Sequence, residues 1–390
     1  MRRLVPLLVL GSIAAAIAGL LLVAPGAPRA AARPPVPDPG ASGSPPSDTA
    51  HRPQVDLGFD VRPLAPGVYA VIRRNPPGFL FDCNSGFIVG SKGVAVVDAQ
   101  FTTESARQVI TALKKITREK VLYVINTHAH DDHVSGNQAY REAYPEVKFV
   151  AHIATERDLN TGYLERRKQL AANLPEALAS LRGALAADRG SDGAPLDSDQ
   201  VVRLQNDIAL GERYVTEAPA FRLQAPNRTF RDSLTLSLGD RNITLRFLGR
   251  AHTAGDIVVQ LRNPDIVFCG DLVVWPVPLA GTTSYPLEYA ATLQRLRALP
   301  HATMVPGHGP VMTGDDYLDL MVRLMTAIRT QTEAAVARGD SLGALMKNLD
   351  LEEFRRAFCG NGKVKNQLFQ GYVVQPGVAR AYAQATAAKH

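Results

Sequence analysis

Cysteine is scarce: Cys83, Cys269 and Cys359 are the only three in 390 residues, too few for a disulfide framework and spaced unlike a zinc knuckle. An oxidising compartment would allow one bridge between two of them, but Cys269, in VFCGD, reads as a small apolar side chain at the end of a buried strand. Stability must then come from ordinary burial. A hydrophobic content of 46% over 390 residues supplies enough for one large domain or two modest ones, so a metal motif here points to chemistry and not to a structural staple. A strong charge of one sign is also missing. The formal net charge is +6, and removal of Arg2, Arg3 and Arg29 with an export segment leaves about +3, which is no footprint for nucleic acid. There is no Gly-x-Ser-x-Gly elbow to carry a serine nucleophile, and no repeat of fixed period.

What is present begins with MRRLVPLLVLGSIAAAIAGLLLVAPGAPRAAARPP: two arginines, an apolar run from Leu4 to Val23, then small residues around Ala27 to Ala32. This is the layout of an export signal over residues 1–30, placing the mature protein in the periplasm or outside the cell. The run approaches the ~20 residues that span a bilayer, so an uncleaved N-terminal anchor is the competing reading and the sole route to a membrane. No cysteine follows it to take a lipid. Residues 31–55 are rich in Pro, Gly, Ser and Asp and read as a tether.

From residue 56 to residue 390 the pattern is that of one α/β domain. VYAVI (68–72), GFIVG (86–90) and VAVVD (94–98) read as an antiparallel meander. Residues 103–118 have helical periodicity behind a threonine cap, and VLYVINT (121–127) returns to a strand. Residues 153–188 are Ala- and Leu-rich with little strand signal: an inserted helical pair, either a wall or lid over a site or a solvated excursion. LTLSL with ITLRFLG, and DIVVQL with DIVFCG, form two hairpins. A helix near 287–299 precedes the strand ATMV, and residues 315–390 read as a helical tail.

Three of nine histidines fall in THAHDDH, directly after VLYVIN. Imidazole and carboxylate suit a borderline ion such as zinc, and alternate residues in a tight loop can turn to a common centre. His128 and His130 can face one ion while Asp132 and His133 reach a second. His252 in GRAHTAGD, Asp271 in FCGDL and His308 in PGHGP each follow a strand, where loops gather at one sheet edge. His152, His301 and Asp131 read as ordinary polar residues, with Asp131 facing solvent.

The set HAHDDH (128–133), then His252, Asp271 and His308, resembles the HxHxDH signature and later ligands of the metallo-β-lactamase fold superfamily of metal-dependent hydrolases, over about residues 60–314. The resemblance implies an αββα four-layer sandwich, here with a helical insert (153–188) and a helical C-terminal tail (315–390). It implies a first metal held by His128, His130 and His252, a second by Asp132, His133 and His308, and Asp271 bridging them. It also implies that Asp98, ending VAVVD, supports the metal loop without binding metal. β-Lactamases of the superfamily usually carry Cys or Ser at the position of Asp271, while its thioesterases, lactonases and phosphodiesterases carry Asp. Ser135 stands where Gly is usual.

Two Zn2+ are the expected cofactors, with iron or manganese compatible with the same ligands. Such a pair lowers the pKa of a shared water towards ~7 and polarises the scissile group. The expected activity is hydrolysis of an ester, lactone, thioester or amide-type bond of a small molecule, with Asp132 and Asp271 orienting the water. Trp275 and Tyr285, on the segment after Asp271, are candidates for the pocket wall. The alternatives are a mononuclear iron oxidoreductase resembling persulfide dioxygenases, which use fewer ligands, and a β-lactamase.

Overall fold

The structure, a computed structural model, describes residues 55–74, 78–190 and 192–388. The expected export segment and nearly all of the tether lie outside the described residues. Among the described residues no helix is long and apolar enough to cross a membrane.

The strands form two sheets whose central members are buried on both faces. In the first, β1 (Phe59–Ala65), β2 (Val68–Arg73), β3 (Ser85–Gly90) and β4 (Gly93–Val97) are antiparallel neighbours. It continues with β5 (Val121–Ile125), β6 (Lys148–His152) and β7 (Arg228–Phe230), all parallel, in the order β1-β2-β3-β4-β5-β6-β7. The second sheet contains β8 (Ser233–Ser237), β9 (Asn242–Phe247), β10 (Ile257–Leu261), β11 (Ile266–Val274) and β12 (Thr303–His308), in the order β12-β11-β10-β9-β8. β8–β9 and β10–β11 are the two expected hairpins, and β12 joins β11 in parallel.

The period of two decides which core each residue enters. Ala95 and Val97 of β4 meet Ile257, Val259 and Phe268 of the second sheet, whereas Val94 and Val96 face the other way. There they pack on Val109, Ile110 and Leu113 of α1 (Thr103–Ile116). Val258 and Val267 likewise turn outward, onto Tyr289 and Leu293 of α7 (Pro286–Arg297) and Leu324 and Ile328 of α8 (Asp316–Arg338). The result is the four-layer αββα arrangement. The tail continues through α9 (Leu342–Asn348), α10 (Glu352–Cys359), α11 (Lys363–Leu368), a π-helical turn (Phe369–Val374) and α12 (Gln375–Ala387). Phe354, Phe358, Phe369 and Val378 join the outer core, so the tail is part of the domain.

The insert differs from expectation in extent. After α2 (Asp131–Val134) and α3 (Asn137–Ala143), the helices α4 (Ile153–Asn160) and α5 (Tyr163–Ala187) match the expected pair, but α6 (Ser198–Glu217) extends it well beyond residue 188. Asp197 and Gln200 close a capping box at the start of α6, and a 3-10 turn, Ala218–Ala220, ends it. Leu174 of α5 and Leu210 and Tyr214 of α6 form a satellite core with Leu80 and Phe101, so the insert is packed against the sandwich and is not a solvated excursion.

All three cysteines are free and buried, and no bridge forms. Cys269 sits within β11, which runs on to Val274 and does not end before Asp271 as its sequence suggests. Gly270, at φ 51°, and a break in the pairing register between Phe268 and Gly270 turn the Asp271 side chain while the strand continues.

Candidate metal centre

The parallel β5 delivers its loop to one edge of the sandwich, where three further segments converge. His128 and His130 lie in the loop, and Asp132 and His133 occupy the single turn of α2. His252 comes from the β9–β10 loop, Asp271 from within β11, and His308 is the last residue of β12. The structure gathers these seven residues into two groups that share Asp271: His128, His130, His252 with Asp271, and Asp132, His133, His308 with Asp271, ligand atoms in each within 4.8 Å of one another.

The geometry divides the Asp271 carboxylate. Its Oδ2 faces His252 Nε2 (3.4 Å) and His128 Nε2 (3.9 Å), and its Oδ1 faces His133 Nε2 (3.2 Å) and His308 Nε2 (3.4 Å). Asp132 Oδ2 lies 3.1 Å from both His133 Nε2 and His308 Nε2. His130 turns Nδ1 inward, 2.8 Å from His252 Nε2. The buried atoms His128 Nε2, His133 Nε2, His308 Nε2, Asp132 Oδ2 and Asp271 Oδ1 have no hydrogen-bond partner. A buried polar atom without a partner is costly. These atoms are all nitrogen or carboxylate oxygen, His128 Nε2 in the first group and the other four in the second, and such a donor set fits divalent ions.

The outward ring atoms are held. His133 Nδ1 lies 2.8 Å from Asp98 Oδ2, and His252 Nδ1 lies 2.9 Å from the Leu279 carbonyl. His128 Nδ1 lies 3.2 Å from Thr127 Oγ1. Asp98 also accepts the Thr127 amide and hydroxyl, both at 2.8 Å, and adopts the rare left-handed conformation at φ 58°. Strain of that kind, stabilised by three hydrogen bonds, fixes the loop.

Electrostatics separate the two groups. Burial, followed by repulsion from His133, holds His128 well below the usual histidine range, and burial with His252 lowers His130 to about 3. Burial also disfavours charge on His133 and His308, but Asp132 and Asp271 outweigh it, raising His133 well above its usual value and His308 to about 9. Asp132 and Asp271 are pressed below the carboxylate range: burial opposes this, and His133 and His308 overcome it.

Other candidates take different places. Trp275 donates its amide to the His308 carbonyl (3.1 Å), and its ring faces Lys365 Nζ at 5.7 Å. The Tyr285 ring is held between the guanidiniums of Arg250 and Arg380, at 4.3 and 5.3 Å. His152 caps α4 and stacks on Phe247, and His301 pairs with Asp315. Asp131, expected to face solvent, is only partly exposed: Tyr214 of the insert donates to its Oδ2 at 3.3 Å, and Arg167 NH1 lies 3.6 Å from its Oδ1. Sequence reading missed Phe81, whose ring meets the His308 ring edge-on at 4.6 Å, and Tyr372 of the tail, 6.3 Å from Phe81. Nothing local to either residue signals that proximity.

Comparison with known proteins agrees with the fold. The Metallo-beta-lactamase superfamily model matches residues 78–308. A curated relative, the linear primary-alkylsulfatase of a Pseudomonas sp., is 24% identical over 309 residues, covering 73% of this chain and 55% of that protein. The chain thus spans about half the length of the curated relative it matches. Similar solved structures include a metallo-beta-lactamase from Pontibacter korlensis, 17% identical over 69% of this chain and 99% of that one, with a TM-score of 0.49. Another is the DIM-1 metallo-beta-lactamase, 14% identical over 69% of this chain and 97% of that one, with a TM-score of 0.47. On the family match across residues 78–308, this chain belongs to the metallo-beta-lactamase superfamily of metal-dependent hydrolases.

Proposed function

We propose that this protein is an exported dinuclear zinc hydrolase that cleaves an ester, lactone, thioester or amide-type bond of a small molecule. The observation that carries the reading is the divided carboxylate of Asp271, with one oxygen turned to each group of ligand atoms. His128 Nε2, His130 Nδ1 and His252 Nε2 would hold the first ion, and Asp132 Oδ2, His133 Nε2 and His308 Nε2 the second. Bound there, the two ions supply an activated water near neutral pH and a Lewis acid for the oxygen of the scissile group.

The chain's own contribution is positioning and charge. Asp132 and Asp271 bring two negative charges to a buried centre, offsetting the ions and offering oxygens that orient a water. Asp98, Thr127 and the Leu279 carbonyl fix the imidazole rings from behind. No serine or cysteine nucleophile is required, and Cys83, next to His133, is a poor one: burial pushes its thiol up to about 12.

Ester, lactone, thioester and amide substrates all suit this chemistry. The alkylsulfatase relative adds sulfate esters of linear alcohols, and places them first in a substrate panel. The test is turnover of that panel by the purified chain before chelation, after chelation and after return of zinc. Activity lost with the chelator and restored by zinc supports the reading. Hydrolysis that survives complete metal removal overturns it.

A further inference from the structure

We propose that Arg167 is a positioning residue for the second metal pocket: from the helical insert it grips the back of the one-turn helix α2 and thereby fixes Asp132 and His133. The inference rests on the dinuclear reading above and assigns the insert a part in it.

Asp131 and Ser135 lie four residues apart, at the first position of α2 and at its C-cap, so both project from one face of the turn. Asp132 and His133, between them, present Oδ2 and Nε2 to the second pocket. Arg167, only 4% exposed, reaches that back face from α5. Its NH1 donates to Ser135 Oγ at 2.8 Å and lies 3.6 Å from Asp131 Oδ1. The guanidinium is sandwiched between the Tyr214 and Phe221 rings, 4.2 and 3.7 Å from their centroids. Tyr163 OH stands 3.3 Å from Ser135 Oγ, and Tyr214 OH donates to Asp131 Oδ2 at 3.3 Å.

A buried arginine must be compensated, and here the compensation is a carboxylate, a hydroxyl and two aromatic faces. One nitrogen, NH1, serves both ends of the helical turn, and it is the flat guanidinium packed on the Tyr214 and Phe221 rings that an ammonium cannot reproduce equally well. Ser135, standing where the resemblance leads one to expect Gly, supplies the hydroxyl that Arg167 uses. The first pocket draws His128 and His130 from the loop that ends at the N-cap of α2, His252 from the β9–β10 loop and Asp271 from β11, none of them from within α2, so loss of the grip should fall mainly on the second pocket.

The test is zinc titration of the metal-free full chain against a chromophoric chelator, for wild type, Arg167→Gln and Arg167→Lys. Wild type should take up two ions. In Arg167→Gln the second ion should bind roughly 10-fold more weakly, the low end of the loss on removing a direct partner of a ligand because Arg167 acts through Asp131 and Ser135, while the first stays within about 2-fold. Arg167→Lys should recover part of the loss. A folded Arg167→Gln chain with both affinities unchanged, or with both weakened alike, overturns the proposal. Should Arg167→Gln fail to fold, Ser135→Ala and Tyr214→Phe each remove one contact, and each should weaken the second ion selectively; unchanged affinity in both overturns the proposal. A wild-type chain that binds no second ion overturns the dinuclear reading itself, and that titration separates the two failures.

Discussion

Asp98 and His133 are joined by a 2.8 Å contact between Oδ2 and Nδ1, while the opposite ring nitrogen of His133 lies 3.2 Å from Asp271 Oδ1. A residue at the end of the first sheet's meander thus orients a ligand on the far side of β5. With Asp98→Ala, His133 loses its anchor and the Thr127 amide loses its acceptor. The second ion should then bind about 10–100-fold more weakly. Folding stability should fall by about 1–3 kcal/mol from the buried donor left unpaired. Chelator competition and urea unfolding measure the two effects separately, and unchanged zinc affinity would remove Asp98 from the centre's support.

The two sheets approach closely at Gly86, where a Cβ would lie 2.3 Å from Phe268. Gly86→Val forces apart β3 and β11, and the latter carries Asp271. Overpacking of this kind costs about 1–3 kcal/mol. Denaturant midpoints should report that loss, and a midpoint equal to wild type would show that the sheets give way without cost.

Asp207 of the insert, 1% exposed, accepts the amides of Phe79 and Leu80 at 2.9 and 2.8 Å, holding the segment that carries Phe81. Burial pushes its carboxyl up to about 6, against the opposing pull of Arg203 and the two amides. Its folded value is thus above the ~3.9 of an unfolded chain, so the folded state takes up the proton first as pH falls. The Asp207 contribution to stability therefore rises from above pH 6 towards pH 4. Measured against Asp207→Asn, wild type should gain about 1 kcal/mol between pH 7.5 and pH 5. Urea unfolding of both proteins at the two pH values checks this, and a difference independent of pH would contradict it.

The centre was legible in the sequence because its ligands are rare residue types at fixed places beside strongly patterned strands. THAHDDH follows β5, and His308 ends β12, both among β-branched or Gly-rich runs. Asp271 was found, but its placement inside β11 was not, since a bulge at Gly270 leaves the strand pattern on both sides intact. α6 was missed because Gln, Asn, Asp and Gly interrupt its apolar positions and several of these polar residues are themselves buried, although the Asp197–Gln200 cap was there to read. β7 has only three residues, and β1, an edge strand with two exposed positions, lacks a clean alternation. Asp131 was misjudged because its partners, Arg167 and Tyr214, are distant in sequence and reach it only through the packing of the insert.

The divided carboxylate of Asp271 makes the most direct claim, and metal stoichiometry by plasma mass spectrometry tests it. The purified wild-type chain should carry close to two zinc ions, and Asp271→Ala one or fewer, with activity falling by more than the roughly 10–100-fold expected for a supporting partner. One iron per wild-type chain, or two zinc ions retained by Asp271→Ala, would contradict the account.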